Sequence, residues 1–497
     1  MQRVTVPSGA VTAVLLFIQI AATPARADTM EAALLRAYQN NPQLNAQRAT
    51  VRAIDENVPQ ALSGYRPKVV MTASGGGQYT NQLATSAGKK IEEGPQGPHA
   101  AGLTVTQTLF NGNQTANKTR AAESQVLGAR EGLRLMEQSV LLAAATIYMD
   151  YLRDAAILEV QRSNTRVLEE TLKQTRQRYS AGLVTPTDVA QSEAQLAAGR
   201  TQELAAEATL TTTRANFRRI IGNEPGQLAP ASPVDRYLPE TLQTAVDLGL
   251  RENPNVTAAM FGIDVNFLTV KVNEGALFPT VTLAANVQKN WQQTITSIRQ
   301  SSAAAVAQVS APIYQGGAEY SLIRQSKETL DQQRLNLEQV RDQARADLVT
   351  AWGQLLAGKA QIASSQSQVE ASEIALLGTR KEATVGQRTV LDVLNAQQAV
   401  VNARVALVTA EHDRVVASYA VLSTIGRLSP QVLRLATPVY DPGVHYHQVR
   451  NNWFGVRDRA GTRGFAFFFH DAEHGMDSIG GTYNLSLIHI SEPTRPY

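Results

Sequence analysis

At 497 residues the chain could hold roughly two to four ordinary domains. Its 43% hydrophobic and 6% aromatic content and mean hydropathy of -0.19 describe something poorer in large core side chains than a big globular enzyme. A formal charge of +3 with no dense Lys/Arg tract gives no case for a nucleic-acid partner, and the absence of cysteine suits an oxidising compartment where a stray thiol would be a liability.

The chain opens with Arg3, an apolar run from Val11 to Ala22 and then Ala25-Arg26-Ala27, the three-part pattern of a secretory signal over residues 1–27 with cleavage expected before Asp28. The run is shorter than the roughly 20 residues needed to span a bilayer, and nothing after it is long and apolar enough for a membrane helix. If the exported chain enters a membrane, it must do so as a closed β-barrel. From Thr29 to Ser63 the pattern is helical, broken at Asn41-Pro42, and the phrase Leu35 to Pro42 returns as Leu248 to Pro254. Tyr65-Arg66-Pro67 and Leu277-Phe278-Pro279 keep that offset of about 212 residues, whereas Leu109-Phe110-Asn111-Gly112 matches Ile313-Tyr314-Gln315-Gly316 at about 204. A change of offset confined to a loop is what a duplication leaves behind.

After each of these prolines the period switches to two. Val69, Met71 and Ala73 alternate with Val70, Thr72 and Ser74, while Val281, Leu283, Ala285 and Val287 alternate with Thr282, Ala284, Asn286 and Gln288. Leu103, Val105 and Leu109 alternate with Thr104, Thr106 and Thr108, and a fourth strand is expected from about Ala304 to Tyr314. Four strands with two unlike faces follow. The glycines Gly75-Gly76-Gly77 sit where a strand meets a loop, so they read as flexible backbone rather than a phosphate cradle.

Long helices are expected at Asn113–Tyr179 and Gly317–Thr384, about 100 Å each at 1.5 Å per residue. Leu348, Leu355, Ile362, Val369 and Leu376 are seven apart, as are Val126, Leu133, Val140 and Ile147, and Ala351, Gly358, Ser365 and Ser372 form a small-residue seam that lets a second helix pack close. Each long helix ends in a tip. Gly182 and Gly386 supply positive φ, Thr185 and Thr389 are N-caps, Pro186 takes the N1 position, and Asp188 and Asp392 fall in the first turn of helices returning over Thr187–Ile221 and Leu391–Ile425. Both returns end in Ile-Gly, at Gly222 and Gly426, and Pro225, Pro230, Pro233 and Pro239 mark a linker between the halves.

Residues 28–222 thus form a first structural repeat, 223–239 a linker, 240–426 a second repeat and 427–455 a C-terminal segment, with 456–484 a tail of different character. Residues 485–497 read largely as the translation of a sequencing adapter. His470 and His474 stand at metal-ligand spacing but lie in that tail, and His412 reads as a packed or solvated histidine. No nucleophile elbow, phosphate loop or cofactor motif appears, so neither an enzyme nor a cofactor is expected.

Four strands cannot close a barrel, so the chain is expected to oligomerise. Three copies would supply twelve strands, continued by an α-helical tube. The competing reading is a periplasmic coiled-coil adaptor without a pore. Taken together, the duplicated Asn-Pro phrases, the strand pairs, Arg178 to Thr185 and Val385 to Leu394 resemble the TolC family of outer-membrane efflux and secretion channels over about residues 28 to 455. The overall pattern is closer to its type I secretion branch.

The resemblance implies an α+β membrane protein: a homotrimer with a twelve-stranded β-barrel in outer-membrane lipid, an antiparallel coiled-coil tunnel, and a C-terminal equatorial segment at 427–455. It also implies docking to a periplasmic adaptor and an inner-membrane ABC or RND-type transporter. At the periplasmic gate it places Asp392 on the family's first constriction aspartate, puts Asn395 where a second is usual and Ala383 where a gate tyrosine is common, and matches Arg388 with Asp188, beside Thr187, as the gate ion pair. Pro67, Pro279, Phe110 and Tyr314 would mark the junction of barrel and helices.

Overall fold

The structure, a computed structural model, describes residues 28–81, 93–294 and 297–455. The signal segment 1–27, the histidine pair of the tail and the stretch 485–497 lie outside the described residues. The elements below all belong to one unit that runs to Asn451.

The first half of the chain runs α1 (Met30–Asn40), α2 (Pro42–Asp55), α3 (Asn57–Leu62), β1 (Lys68–Gly75), a small hairpin of β2 (Gln78–Asn81) and β3 (Glu93–Gln96), β4 (His99–Asn111), α4 (Gln114–Ser180) and α5 (Pro186–Ile221). The second runs α6 (Leu242–Glu252), α7 (Pro254–Gly275), β5 (Thr280–Thr294), β6 (Ser297–Ser310), α8 (Ala318–Thr384) and α9 (Val390–Ile425), and α10 (Gly443–Val449) follows. α4 and α8 each have 67 residues, and α5 and α9 each have 36.

The two Asn-Pro phrases explain how these helices are joined. Proline forbids continuation of the preceding helix but suits the first turn of the next. The Asn41 carboxamide oxygen accepts from the backbone N–H groups of Gln43 (2.9 Å) and Leu44 (3.3 Å), capping α2, while its amide donates to the Ile220 carbonyl at 3.3 Å near the end of α5. Asn253 repeats both bonds: it accepts from Asn255 N–H at 2.8 Å to cap α7 and donates to the Thr424 carbonyl at 2.9 Å near the end of α9. Each side chain therefore satisfies orphan groups at a helix start and a helix end at once. Beside the second clasp, Arg427 donates to both carboxylate oxygens of Glu252, at 2.6 and 2.7 Å.

The main core lies where α1 and α2 pack on the middle of α4 and the end of α9. Leu34, Tyr38, Leu44 and Val51 meet Leu133, Leu141 and Tyr148, with Phe217, Tyr419 and Leu422 closing the cluster. A second cluster joins α6, α8 and α9 through Ala245, Leu348, Ala351, Leu355, Val421 and Ile425. The heptad positions thus point inward as their spacing requires. The small-residue seam also acts as expected, for a Cβ on Gly358 would stand 3.3 Å from the Arg414 Cα of α9. Truncating Leu348 or Leu355, each 1% exposed, would remove on the order of 2–5 kcal/mol. The proline-rich linker is pinned rather than loose: Tyr148 Oη donates to the carbonyls of Asp28 (2.7 Å) and Ala229 (2.6 Å).

The long strands form one antiparallel sheet in the order β1-β4-β5-β6, so the halves meet at β4 and β5. The register gives it two chemistries. On one face Met71, Leu103, Val287 and Ala303 fall in one row, followed by Ala73-paired Ala101 and, toward the helices, by Val105, Ala285 and Ala305; the opposite face carries Thr72, Thr104, Asn286 and Gln288. Two strand readings need correction. Leu109 does not continue the alternation of Leu103 and Val105, because a bulge between Thr108 and Phe110 shifts the register and pairs Phe110 with Val281. The fourth strand runs Ser297–Ser310 rather than Ala304 to Tyr314, since Pro312 has no N–H for a ladder to continue. At the change from β4 to α4, Gly112 has φ 63°, and a Cβ there would come 2.1 Å from the Gly275 carbonyl oxygen, so only glycine fits.

Asn253→Ala is expected to lower stability by about 1–2 kcal/mol through loss of the cap and of the bond to Thr424. Asn253→Asp keeps the cap but sets a carboxylate against that carbonyl, so its thermal midpoint should also fall. Wild-type stability in the aspartate variant would show that the Thr424 bond contributes nothing.

Candidate functional site: the paired helix tips

Each long helix stops because its C-terminal glycine can take a left-handed conformation. Gly182 has φ 74° and Gly386 φ 79°. Gly182 N–H donates to Tyr179 O at 2.9 Å and Leu183 N–H to Arg178 O at 2.9 Å; in the second tip Gln387 N–H donates to Glu382 O at 3.0 Å. The chain then re-enters a helix through a full capping box. Thr185 N–H and Oγ1 donate to Asp188 Oδ2 at 2.8 and 2.7 Å, and Asp188 N–H donates back to Thr185 Oγ1 at 3.3 Å. Thr389 and Asp392 repeat this at 3.0, 2.9 and 3.2 Å.

The structure therefore gives Asp188 and Asp392 a structural task that sequence reading assigned only to the threonines. Asp392 Oδ2 is engaged by Thr389, and its carboxyl is held below the usual carboxylate range by the Thr389 backbone N–H, then by the Thr389 hydroxyl, with Arg388 adding to them. Arg388 does not reach Asp188 within one chain. Its Nε donates to Glu382 Oε2 at 3.0 Å, across the Gly386 turn, and this contact is the main cause of its raised pKa. Glu382 was missed by sequence reasoning, although an acid six positions before an arginine across a glycine turn is a legible signal. Thr187, Asn395 and Arg388 are exposed, and Ala383 is half-buried.

The two tips are brought together. Leu168, Leu172 and Leu196 of the first hairpin close on Leu394 of the second, with Val189 and Val390 beside them. Gln195 Nε2 donates to Gln398 Oε1 at 3.2 Å and Gln397 Nε2 to Asn164 Oδ1 at 3.3 Å. Within each hairpin the legs are tied by arginine rungs at matching places, Arg200 to Glu169 at 2.8 Å and Arg404 to Glu373 at 2.6 Å. Farther along, His412 is packed rather than solvated, with Nε2 2.9 Å from Asp150 and Nδ1 2.9 Å from Asp413. Burial opposes its charged form, but the hydrogen bonds to Asp150 and Asp413 outweigh it and raise the imidazole pKa. This polar join links α4 to α9, hence one hairpin to the other.

At the opposite end of the long helices, Pro67 and Pro279 immediately precede β1 and β5, Phe110 lies one residue before the end of β4, and Tyr314 follows β6 at 75% exposure. All four stand where strand changes to helix.

The sequence model of the family described as "Outer membrane efflux protein" matches residues 33–223 and 245–427. The chain is 38% identical over 434 residues to the outer membrane efflux protein BepC of Brucella suis biovar 1, covering 87% of this chain and 93% of that protein. It is 23% identical over 401 residues to the alkaline protease secretion protein AprF of Pseudomonas aeruginosa, covering 78% and 83%. Among solved structures, the Campylobacter jejuni CmeC outer membrane channel superposes with a TM-score of 0.72 at 15% identity, over 85% of this chain and 89% of that one, a likeness of fold.

Because the Asp392 pKa is depressed in the folded tip, its contribution is fully present above the ordinary carboxylate value of about 4 and is lost as pH falls through the lowered folded value. Amide protection at Asp392 and Val393, corrected for intrinsic exchange, should therefore be high at about pH 6 and fall below about pH 4. Thr389→Val should flatten this dependence. Equal protection at both pH values in the wild type would show that the carboxylate does not hold the tip.

Proposed function

The chain belongs to the outer membrane efflux protein family, and from that premise we propose that it forms the exit duct of a tripartite efflux pump or type I secretion system, opened at the paired tips. It is an outer-membrane channel protein and not an enzyme. The observation that carries the reading is a four-stranded sheet with both edges unpaired among the described residues, continuous with two 67-residue helices. Bare edges cannot stand in lipid, where every backbone group needs a partner. Three copies related by a threefold axis would pair β6 of one with β1 of the next and close twelve strands. The face bearing Val281, Leu283, Ala285 and Val287 then meets lipid and that bearing Thr282, Asn286 and Gln288 lines the lumen. The matched lengths of α4 and α8 and of α5 and α9 fit an internal duplication. An adaptor without a pore would bury its strands in a small sandwich, and this sheet leaves Met71 and Val287 exposed.

In this reading the tips converge on the threefold axis at the periplasmic end. Three copies of Asp392, each with one oxygen left outside the cap, form a ring that attracts cations. Arg388 exchanges its Glu382 partner for Asp188 of a neighbouring hairpin when the gate closes. An exposed pair is worth only about 0–1 kcal/mol, yet threefold repetition suffices to bias states that differ by a few kcal/mol. A periplasmic adaptor binding the hairpins would open the gate, and an inner-membrane ABC or RND-type transporter would select the cargo. The relative named as a protease secretion protein favours the secretion branch.

Single-channel recording in planar bilayers tests this. Asp392→Asn removes the charge while leaving an oxygen for the cap, and should reduce cation selectivity. Arg388→Ser and Asp188→Ala should each raise conductance, the double variant adding little to either. Glu382→Gln frees Arg388 for Asp188, so it should lower conductance. Unchanged selectivity in Asp392→Asn, or a rise in Glu382→Gln, would remove these residues from the gate.

A further inference from the structure

The end of the sheet farthest from the helices carries a cluster that the duct itself does not require. Trp291 lies on the same face of β5 as Val281, Leu283, Ala285 and Val287, since the register runs unbroken from Thr280 to Trp291. His99 stands opposite it on β4 and stacks on its ring, with centroids 5.1 Å apart and planes inclined by 14°, while His99 Nδ1 donates to the Gly97 carbonyl at 2.8 Å. Lys289, two residues back on the same face, holds its Nζ 5.4 Å from the Trp291 ring. Arg299 lies directly across on β6, and its guanidinium makes no hydrogen bond or ion pair among the described residues. Just past Trp291 the ladder is interrupted, with Gln292 at φ 48°.

Height and charge together identify what this cluster meets. The ten residue steps from Val281 to Trp291 span about 34 Å along the strand. At a tilt of roughly 40° that is about 25 Å of height, the thickness of the apolar band of an outer-membrane barrel. Along β5 the apolar run is unbroken from Val281 to Val287, with Gln107 of β4, paired with Leu283, the one polar side chain in those rows, and the face's first cations, Lys289 and Arg299, arrive where the far headgroup region begins. No Asp or Glu occurs on β1, β4, β5 or β6, so nothing on the sheet neutralises them. A tryptophan at that depth anchors at the acyl boundary, and long cationic stems beside it reach outward into the headgroups.

We propose that Lys289 and Arg299, positioned around the His99–Trp291 stack, form a binding site for a phosphate-bearing headgroup of the outer leaflet. The site rests on the channel reading, because it requires this face to meet lipid. Both cations contact the phosphate oxygens while the Trp291 ring lies along the first acyl carbons. A barrel held this way is fixed in depth at its outer rim by charge as well as by hydrophobic matching.

The test uses purified protein in a zwitterionic detergent, titrated with lipid A, with dephosphorylated lipid A and with inorganic phosphate while the thermal midpoint is followed. Lipid A should raise the midpoint by several degrees, and neither control should. In Lys289→Ala/Arg299→Ala the lipid A concentration needed for half the shift should rise at least tenfold, and Lys289→Arg/Arg299→Lys should behave as wild type. An equal shift with dephosphorylated lipid A, or an unchanged titration in the double alanine variant, overturns the site. A response to inorganic phosphate alone makes it a soluble-anion site and overturns the lipid assignment. Planar-bilayer conductance of the wild type separates the two levels: a conducting channel without phosphate-dependent lipid A binding sinks this site only, whereas a protein that never inserts sinks the channel reading itself.

Discussion

One amide side chain, used twice, fixes the geometry of everything else in this chain. Asn41 and Asn253 each cap the start of one helix with an oxygen and hold the end of another with a nitrogen. A helix end left without partners would bury bare donors or carbonyls. The return helices must therefore stop where the asparagines stand, and α2 and α7 must start there. From these two fixed points the return helices α5 and α9 lead back to the tips and α2 and α7 lead on toward the strands, while the long helices span the whole way from strands to tips. Gly426 shows how tight the fit is: a Cβ on it would lie 2.5 Å from the Glu252 carbonyl oxygen.

Much of this could be read from residues alone because the signals were local. A glycine with positive φ, a threonine cap and an aspartate three residues on specify a tip without any knowledge of the rest of the chain, and both tips fold that way. Seven-residue spacing likewise marked which leucines of α8 turn inward. What stayed hidden depends on contacts between distant segments. The Leu109 bulge is set by pairing with β5, which lies about 170 residues later in the sequence. Beyond Arg427, where periodicity fades, the segment is held by single contacts such as His445 Nδ1 to the fully buried Asp55 at 3.0 Å and Arg450 to Glu123 at 2.9 Å, and no periodic pattern encodes such pairings.

Charge is distributed with equal economy. The sheet has cations and no acids, whereas the second tip pairs Glu382 with Arg388 six residues on. On the proposed reading, an aspartate that begins a helix and also presents charge to the pore serves two ends with one carboxylate; what the two tips share in the structure is the capping role. Those two uses are separable, because the cap needs an oxygen acceptor and the electrostatic field needs a net charge.

The edges of β1 and β6, unpaired among the described residues, bear on the life of the protein before it reaches its membrane. β6 spans 14 residues, and a newly exported copy would present its outer rim of free N–H and C=O groups to any extended polypeptide it met. If sister copies complete the barrel, as proposed, pairing with one of them is the productive outcome and pairing with a stray strand is the start of an aggregate. Biogenesis is thus a race between like and unlike partners. Under the proposed trimer such a race would favour escort of single copies through the periplasm and would couple assembly to membrane insertion.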